Sequence, residues 1–111
     1  MLLFVLWLTA APPGADPNGA VGQWVRTLKD WRGAGCCDLS DCRPVDVRYA
    51  DDGRPEVWID ERFPGRASGG WVPVPDQVLE GTTAKGEAPD TRSWACWYAG
   101  KLMCFIAGGG I

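Results

Sequence analysis

The chain has 111 residues, 46% of them hydrophobic, with 14 acidic against 11 basic side chains and a formal net charge of −3. That is room for one domain, near the size where apolar burial alone is marginal and cross-links become useful. Histidine is absent and the basic residues, mostly Arg, are scattered, which removes the commonest general base and metal ligand and leaves no basic patch for nucleic acid.

Residues 2–11 read Leu-Leu-Phe-Val-Leu-Trp-Leu-Thr-Ala-Ala, followed by Pro12, Pro13, Gly14 and Ala15. A membrane span needs about twenty apolar residues, so this run is too short; it has the length of a signal-peptide core. Residues 1–15 are therefore read as an export signal cleaved after Ala11 or Ala15. No Lys or Arg precedes the run, so either the signal is truncated at its start or it is a weak one. Residues 16–107 are expected to form one domain and 108–111 a flexible tail. The expected location is the periplasm or the cell exterior, with no transmembrane span once the leader is removed.

Val21, Trp24, Val25, Leu28 and Trp31 recur at helical spacing and predict one amphipathic helix, with Gln23, Arg26, Lys29 and Asp30 on its wet face. Gly33-Ala34-Gly35 ends it. Val45 to Tyr49 alternates apolar and polar, and Glu56 to Asp60 returns across Asp51-Asp52-Gly53. A three-residue turn, Asp52 to Arg54, keeps the apolar faces together and predicts Tyr49 opposite Val57 and Val47 opposite Ile59. Trp71 to Pro75 carries two prolines on alternate positions and belongs at a sheet edge. Asp76 is expected to cap a short helical turn through Leu79. Residues 80–92 read as a polar loop, functional or mobile. Ser93 to Tyr98 and Leu102 to Ile106 form a last hairpin. A three-residue turn there predicts Cys96 opposite Cys104, Trp94 opposite Ile106 and Tyr98 opposite Leu102.

The five cysteines are Cys36, Cys37, Cys42, Cys96 and Cys104. In an oxidising compartment such a set reads as disulfides with one sulfur left over. Adjacent cysteines rarely pair with each other, so the first three look to Cys96 and Cys104. A bridge from the cluster to the hairpin closes a loop worth roughly 4 kcal/mol by chain entropy, against about 2.5 kcal/mol for a local Cys96–Cys104 bridge. Two cluster-to-hairpin bridges are expected, with the pairing open. The competing use of Cys36, Cys37 and Cys42 is a thiolate cluster for copper or zinc. It lacks zinc-site spacing and a histidine to complete it. A reactive thiol favoured by Arg43 beside Cys42 is a third use, with no base at hand.

Asp38 and Asp41 stand three apart beside Arg43. Acid–base work would require burial to push their pKa values apart; local turn hydrogen bonds are the simpler role. Six tryptophans follow the leader. Most suit a core, but alternation puts Trp58 and Trp97 on the opposite face of their strands. There they are candidates to stack on a sugar ring or an apolar peptide.

A tryptophan-bearing helix, then Cys-Cys-Asp-x-Ser-Asp-Cys-Arg-Pro, a Val-Trp-Ile strand, Trp-Val-Pro-Val-Pro-x-x-x-Val-Leu and a closing Cys-Phe make up the order from Trp24 to Phe105. This resembles a group of small secreted proteobacterial proteins of unknown function. The resemblance implies export and the five-cysteine pattern as a set, and carries no activity or catalytic residue. The expected fold is α+β: the N-terminal helix packed on one small antiparallel sheet of four to five strands, stapled by disulfides. The expected function is a non-enzymatic secreted or periplasmic binding or structural module, without catalytic residues or cofactor. Its contact surface is expected at loop 80–92 with neighbouring exposed aromatics. The rival is an envelope thiol-redox or metal-handling protein centred on Cys36, Cys37 and Cys42. A disulfide-linked homodimer follows if the odd cysteine pairs across chains.

Overall fold

A computed structural model describes residues 19–36 and 41–108. The leader, Cys37, Asp38 and the last three residues lie outside the described residues. The element order is α1 (Ala20–Val25), β1 (Cys42–Val45), β2 (Val47–Tyr49), β3 (Pro55–Ile59), β4 (Gly70–Pro73), α2 (Asp76–Gly81), β5 (Ser93–Tyr98) and β6 (Lys101–Ile106). No helix among the described residues is long and apolar enough to cross a membrane.

The strands form two antiparallel sheets of three, ordered β1-β5-β6 and β2-β3-β4. This corrects the expectation of one sheet of four to five strands under a long helix. The chain from Cys42 to Tyr49 is almost one strand, but it changes sheets at Asp46. Before the bend it pairs with β5; after it, with β3. Chains that turn such corners let two twisted sheets stack with a shared core.

The predicted helix is also shorter than its apolar stripe. It ends at Val25, where Thr27 N and Leu28 N bond three residues back, to Trp24 O and Val25 O. The Thr27 hydroxyl also donates to Trp24 O at 2.7 Å, competing with the next helical turn. Lys29 then exchanges two backbone bonds of 2.9 Å with Thr83. Leu28 still reaches the core, but from a loop. Asp30, expected in water, is buried: its carboxylate accepts from Arg32 N, Arg32 Nε and Nη2, and Ala34 N. The Arg32 side-chain hydrogen bond lowers its pKa, outweighing the opposite push of burial.

β5 is buried on both faces, and so divides two cores. On one face Trp94 and Cys96 meet Trp24, Val25, Leu28, Cys36, Cys42, Met103 and Cys104. On the other, Ala95 and Trp97 meet Val57, Ile59, Phe63, Val74, Val78, Leu102 and Phe105. This is why residues 94–97 read as an unbroken apolar run: a strand covered on both sides has no wet positions to alternate. β6 serves both cores through a bulge. Cys96 pairs with Cys104 and Trp94 with Ile106, but Trp97 pairs with Leu102 and Tyr98 with Lys101. The extra residue, Met103, turns toward the first core. The turn is therefore Ala99-Gly100, with φ of 55° and 81°, rather than three residues. Two positive φ values make the two-residue turn that matches strand twist.

The β2–β3 turn is three residues long, but starts one residue earlier than expected. Ala50 N bonds to Arg54 O and Gly53 N to Ala50 O. Val47 therefore faces Val57 and Tyr49 faces Pro55, a register two residues from the predicted one with the same faces inward. β4 is an edge strand, and so can hold Pro73 without an orphaned donor inside the sheet. α2 lies against β6, where Thr82 Oγ1 accepts from Phe105 N at 3.2 Å and occupies that edge. Asp76 does not cap it; the side chain pairs with Arg54 instead.

Candidate functional site

Two disulfides tie the cysteine cluster to the last hairpin, Cys36–Cys104 and Cys42–Cys96. Cys42, Cys96 and Cys104 lie in register across three strands, and the four bridged residues sit in the first core. Cys36 and Cys42 are thus disulfide sulfurs, not the thiolates that a Cys36–Cys37–Cys42 metal cluster needs. Asp41 is half-buried at the head of β1, beside a small recess of about 230 Å³ with Arg32, Cys36, Tyr98 and Met103. Arg43 is partly buried on β1. Burial and the charge of Arg62 lower its pKa, against the opposing pull of Asp41.

Trp58 and Trp97 part company. Trp97 is 6% exposed, packed between the sheets with Arg66 5.1 Å over its ring, so it is a core residue and not a ligand-facing one. Its face of β5 looked outward in sequence only because the second sheet was not foreseen. Trp58 stays half-exposed on the outer face of β3. Trp71 on β4 meets it edge-to-face at 5.4 Å. Gly69 packs so closely on the indole that a Cβ there would collide with the ring.

Loop 80–92 is anchored. Beyond the Lys29–Thr83 bonds, Trp24 Nε1 donates to Gly86 O and Lys85 N to Thr27 Oγ1, while Ala84 and Ala88 pack on the first core. Its last residue, Arg92, lines a cleft in the sheet region.

That cleft, of about 580 Å³, opens where the chain changes sheets. Pro44, Val45 and Asp46 of the bend line it, with Trp58, Asp60, Arg62, Arg92 and Ser93. Asp60 organises one wall. Its Oδ1 accepts from Arg62 Nε at 2.8 Å and Arg62 N at 3.1 Å; its Oδ2 accepts from Trp58 Nε1 at 3.2 Å. Burial raises the Asp60 pKa, but the Arg62 hydrogen bonds and charge, with the Trp58 bond, bring it below the ordinary value. Arg62 also donates to Pro44 O at 3.3 Å, tying the wall to β1. Arg92, which also lines the cleft, is held by a similar device that lies outside the lining. Asp90 accepts from Arg92 Nε at 2.7 Å and from Trp94 Nε1 at 3.4 Å, and the Arg92 guanidinium lies 5.2 Å over Trp94.

Both pairs are Asp-x-Arg, in which the Asp accepts from the Arg side chain and backbone, as Asp30 does from Arg32. Sequence reasoning passed over Asp60, Arg62 and Arg92. Asp-x-Arg occurs six times in the sequence, and the copies at Asp60 and Asp90 each have a nearby Trp whose indole N–H reaches the Asp; that combination was the signal that could have found them. Such pairs fix guanidinium direction, since one carboxylate holds two or three donors at once. The cleft can therefore offer fixed hydrogen-bond donors and acceptors beside an indole. No family model matches the chain, and none of the curated proteins or solved structures compared with it gives a match.

Proposed function

We propose that the protein is a non-enzymatic binding module of an extracytoplasmic compartment, periplasmic or secreted, and that the cleft around Trp58 is its contact site. The observation that supports the reading is the construction of that cleft at the sheet switch: Trp58 and the Asp60–Arg62 pair line it, one carboxylate holding both the guanidinium and the indole N–H, together with Arg92, itself held by Asp90. Preformed recesses with a few fixed polar groups and an aromatic wall are where small ligands bind. Of the wider 80–92 loop, Arg92 is the residue that contributes. Export is supported by the two disulfides, which persist in oxidising compartments.

The test is fractionation of cells expressing the full chain, followed by non-reducing mass spectrometry. The expected result is protein outside the cytoplasm, monomeric, with two internal bridges and one alkylatable thiol at Cys37. Cytoplasmic protein with five reduced thiols would overturn export. A reductant-sensitive dimer would move the reading to a structural, covalently paired protein.

A further inference from the structure

The cleft is balanced in charge. Asp46 and Asp60 offset Arg62 and Arg92. Asp60 and Arg62 already meet at 2.8 Å, and Arg92 lies on Asp90. A charged ligand would have to compete with partners already in place, and separating such pairs is unfavourable. A neutral ligand rich in hydroxyls faces no such competition. It can accept from guanidinium N–H groups and donate to carboxylate oxygens while the pairs stay closed. The Ser93 hydroxyl and the exposed Asp46 carboxylate extend the same alternation of donor and acceptor. Trp58 adds an apolar surface suited to the C–H face of a ring.

Resting on the cleft as contact site, we propose that the protein binds a neutral saccharide there, with Trp58 against a sugar ring and Asp46, Ser93 and the Asp60–Arg62 pair on its hydroxyls. The unequal surfaces of a pyranose, apolar on its C–H face and polar at its rim, match an indole set among fixed hydrogen-bonding groups. Because no full charge is neutralised on binding, the affinity is insensitive to salt.

The experiment follows the tryptophan indole N–H signals of the oxidised protein by NMR, with the Trp58 signal assigned from Trp58→Phe. Chitotriose, cellotriose and maltotriose are titrated to millimolar concentration beside sodium phosphate and glycylglycine. The expected result is a saturable shift of the Trp58 signal with at least one trisaccharide, unchanged by added sodium chloride. Trp58→Ala, followed instead by the backbone amide signals of Asp46 and Ser93, should weaken binding of that sugar roughly tenfold. Asp46→Ala, at an exposed position away from both cores, should also weaken it while leaving the other indole signals in place. A Trp58 shift with phosphate or glycylglycine and none of the sugars would overturn the saccharide and keep the cleft as a binding site. No Trp58 shift with any probe would overturn both.

Discussion

The two cores flanking β5 are secured by different means. The inner core is roofed by the sheet β2-β3-β4 and by α2, and it holds no disulfide. The outer core is roofed by a six-residue helix, a loop and the cysteine cluster, and holds both bridges. So short a helix is not stable by itself, since nucleation is unfavourable and few bonds follow it. Where regular structure covers the apolar surface, burial suffices; where irregular chain covers it, covalent bonds hold the cover down.

Removing both bridges should break this contrast most severely. Bridge Cys42–Cys96 lies inside the loop closed by Cys36–Cys104. The first bridge to form constrains a long loop, worth about 4 kcal/mol; the second closes a ring of roughly fifteen residues, worth about 3 kcal/mol. Replacing all four cysteines by Ala should therefore cost about 7 kcal/mol, and urea titration should find the chain largely unfolded without denaturant. A cooperative transition with little change in midpoint would show that the outer core does not need its staples.

Phe63→Ala probes the other side. Phe63 is fully buried from a loop, and its truncation should cost about 4 kcal/mol with both bridges intact. Losing one bridge, through Cys36→Ala with Cys104→Ala, should cost about 3 kcal/mol, since the survivor still holds the roof. If that pair costs as much as all four substitutions, the nested-loop account is wrong. Ala99→Asn should act oppositely and raise stability by about 1 kcal/mol, because Ala99 has a positive φ that Asn tolerates better. An unchanged thermal midpoint would count against it.

Acid gives the finest distinction. The folded pKa values of Asp30 and Asp60 lie below their ordinary 3.8. Their contribution is therefore complete above the unfolded value and lost as pH falls through the lower folded values. The thermal midpoint should hold from about pH 7 to pH 5 and drop below about pH 4. Asp30→Asn should flatten part of that drop, and an equally steep profile in the variant would remove Asp30 from the explanation.

Local chemistry was legible in the sequence; partition into layers was not. Cys96 and Trp94 have the partners that a three-residue turn assigns, because the bulge at Met103 offsets the two-residue turn actually made, and β4 lies at a sheet edge as its prolines predict. Periodicity over residues 21–31 correctly marked apolar residues, but not the Lys29–Thr83 bonds that pull the chain out of helix. Nothing local announces that Asp46 carries the chain from one sheet to another. With that bend unseen, Trp97 looked outward and Arg62 and Arg92 had no reason to be read together. Trp58 was reached by strand alternation alone, which records a side of the strand and not the recess beside it.

Both bridges join the front of the chain to its final hairpin, and this has a bearing on synthesis. A polypeptide delivered amino end first presents Cys36 and Cys42 well before Cys96 and Cys104. In the interval these early sulfurs have only each other and Cys37, and any bond they make among themselves must be undone. The strand around which both layers assemble arrives next to last, so the chain remains pliant until its delivery is nearly complete.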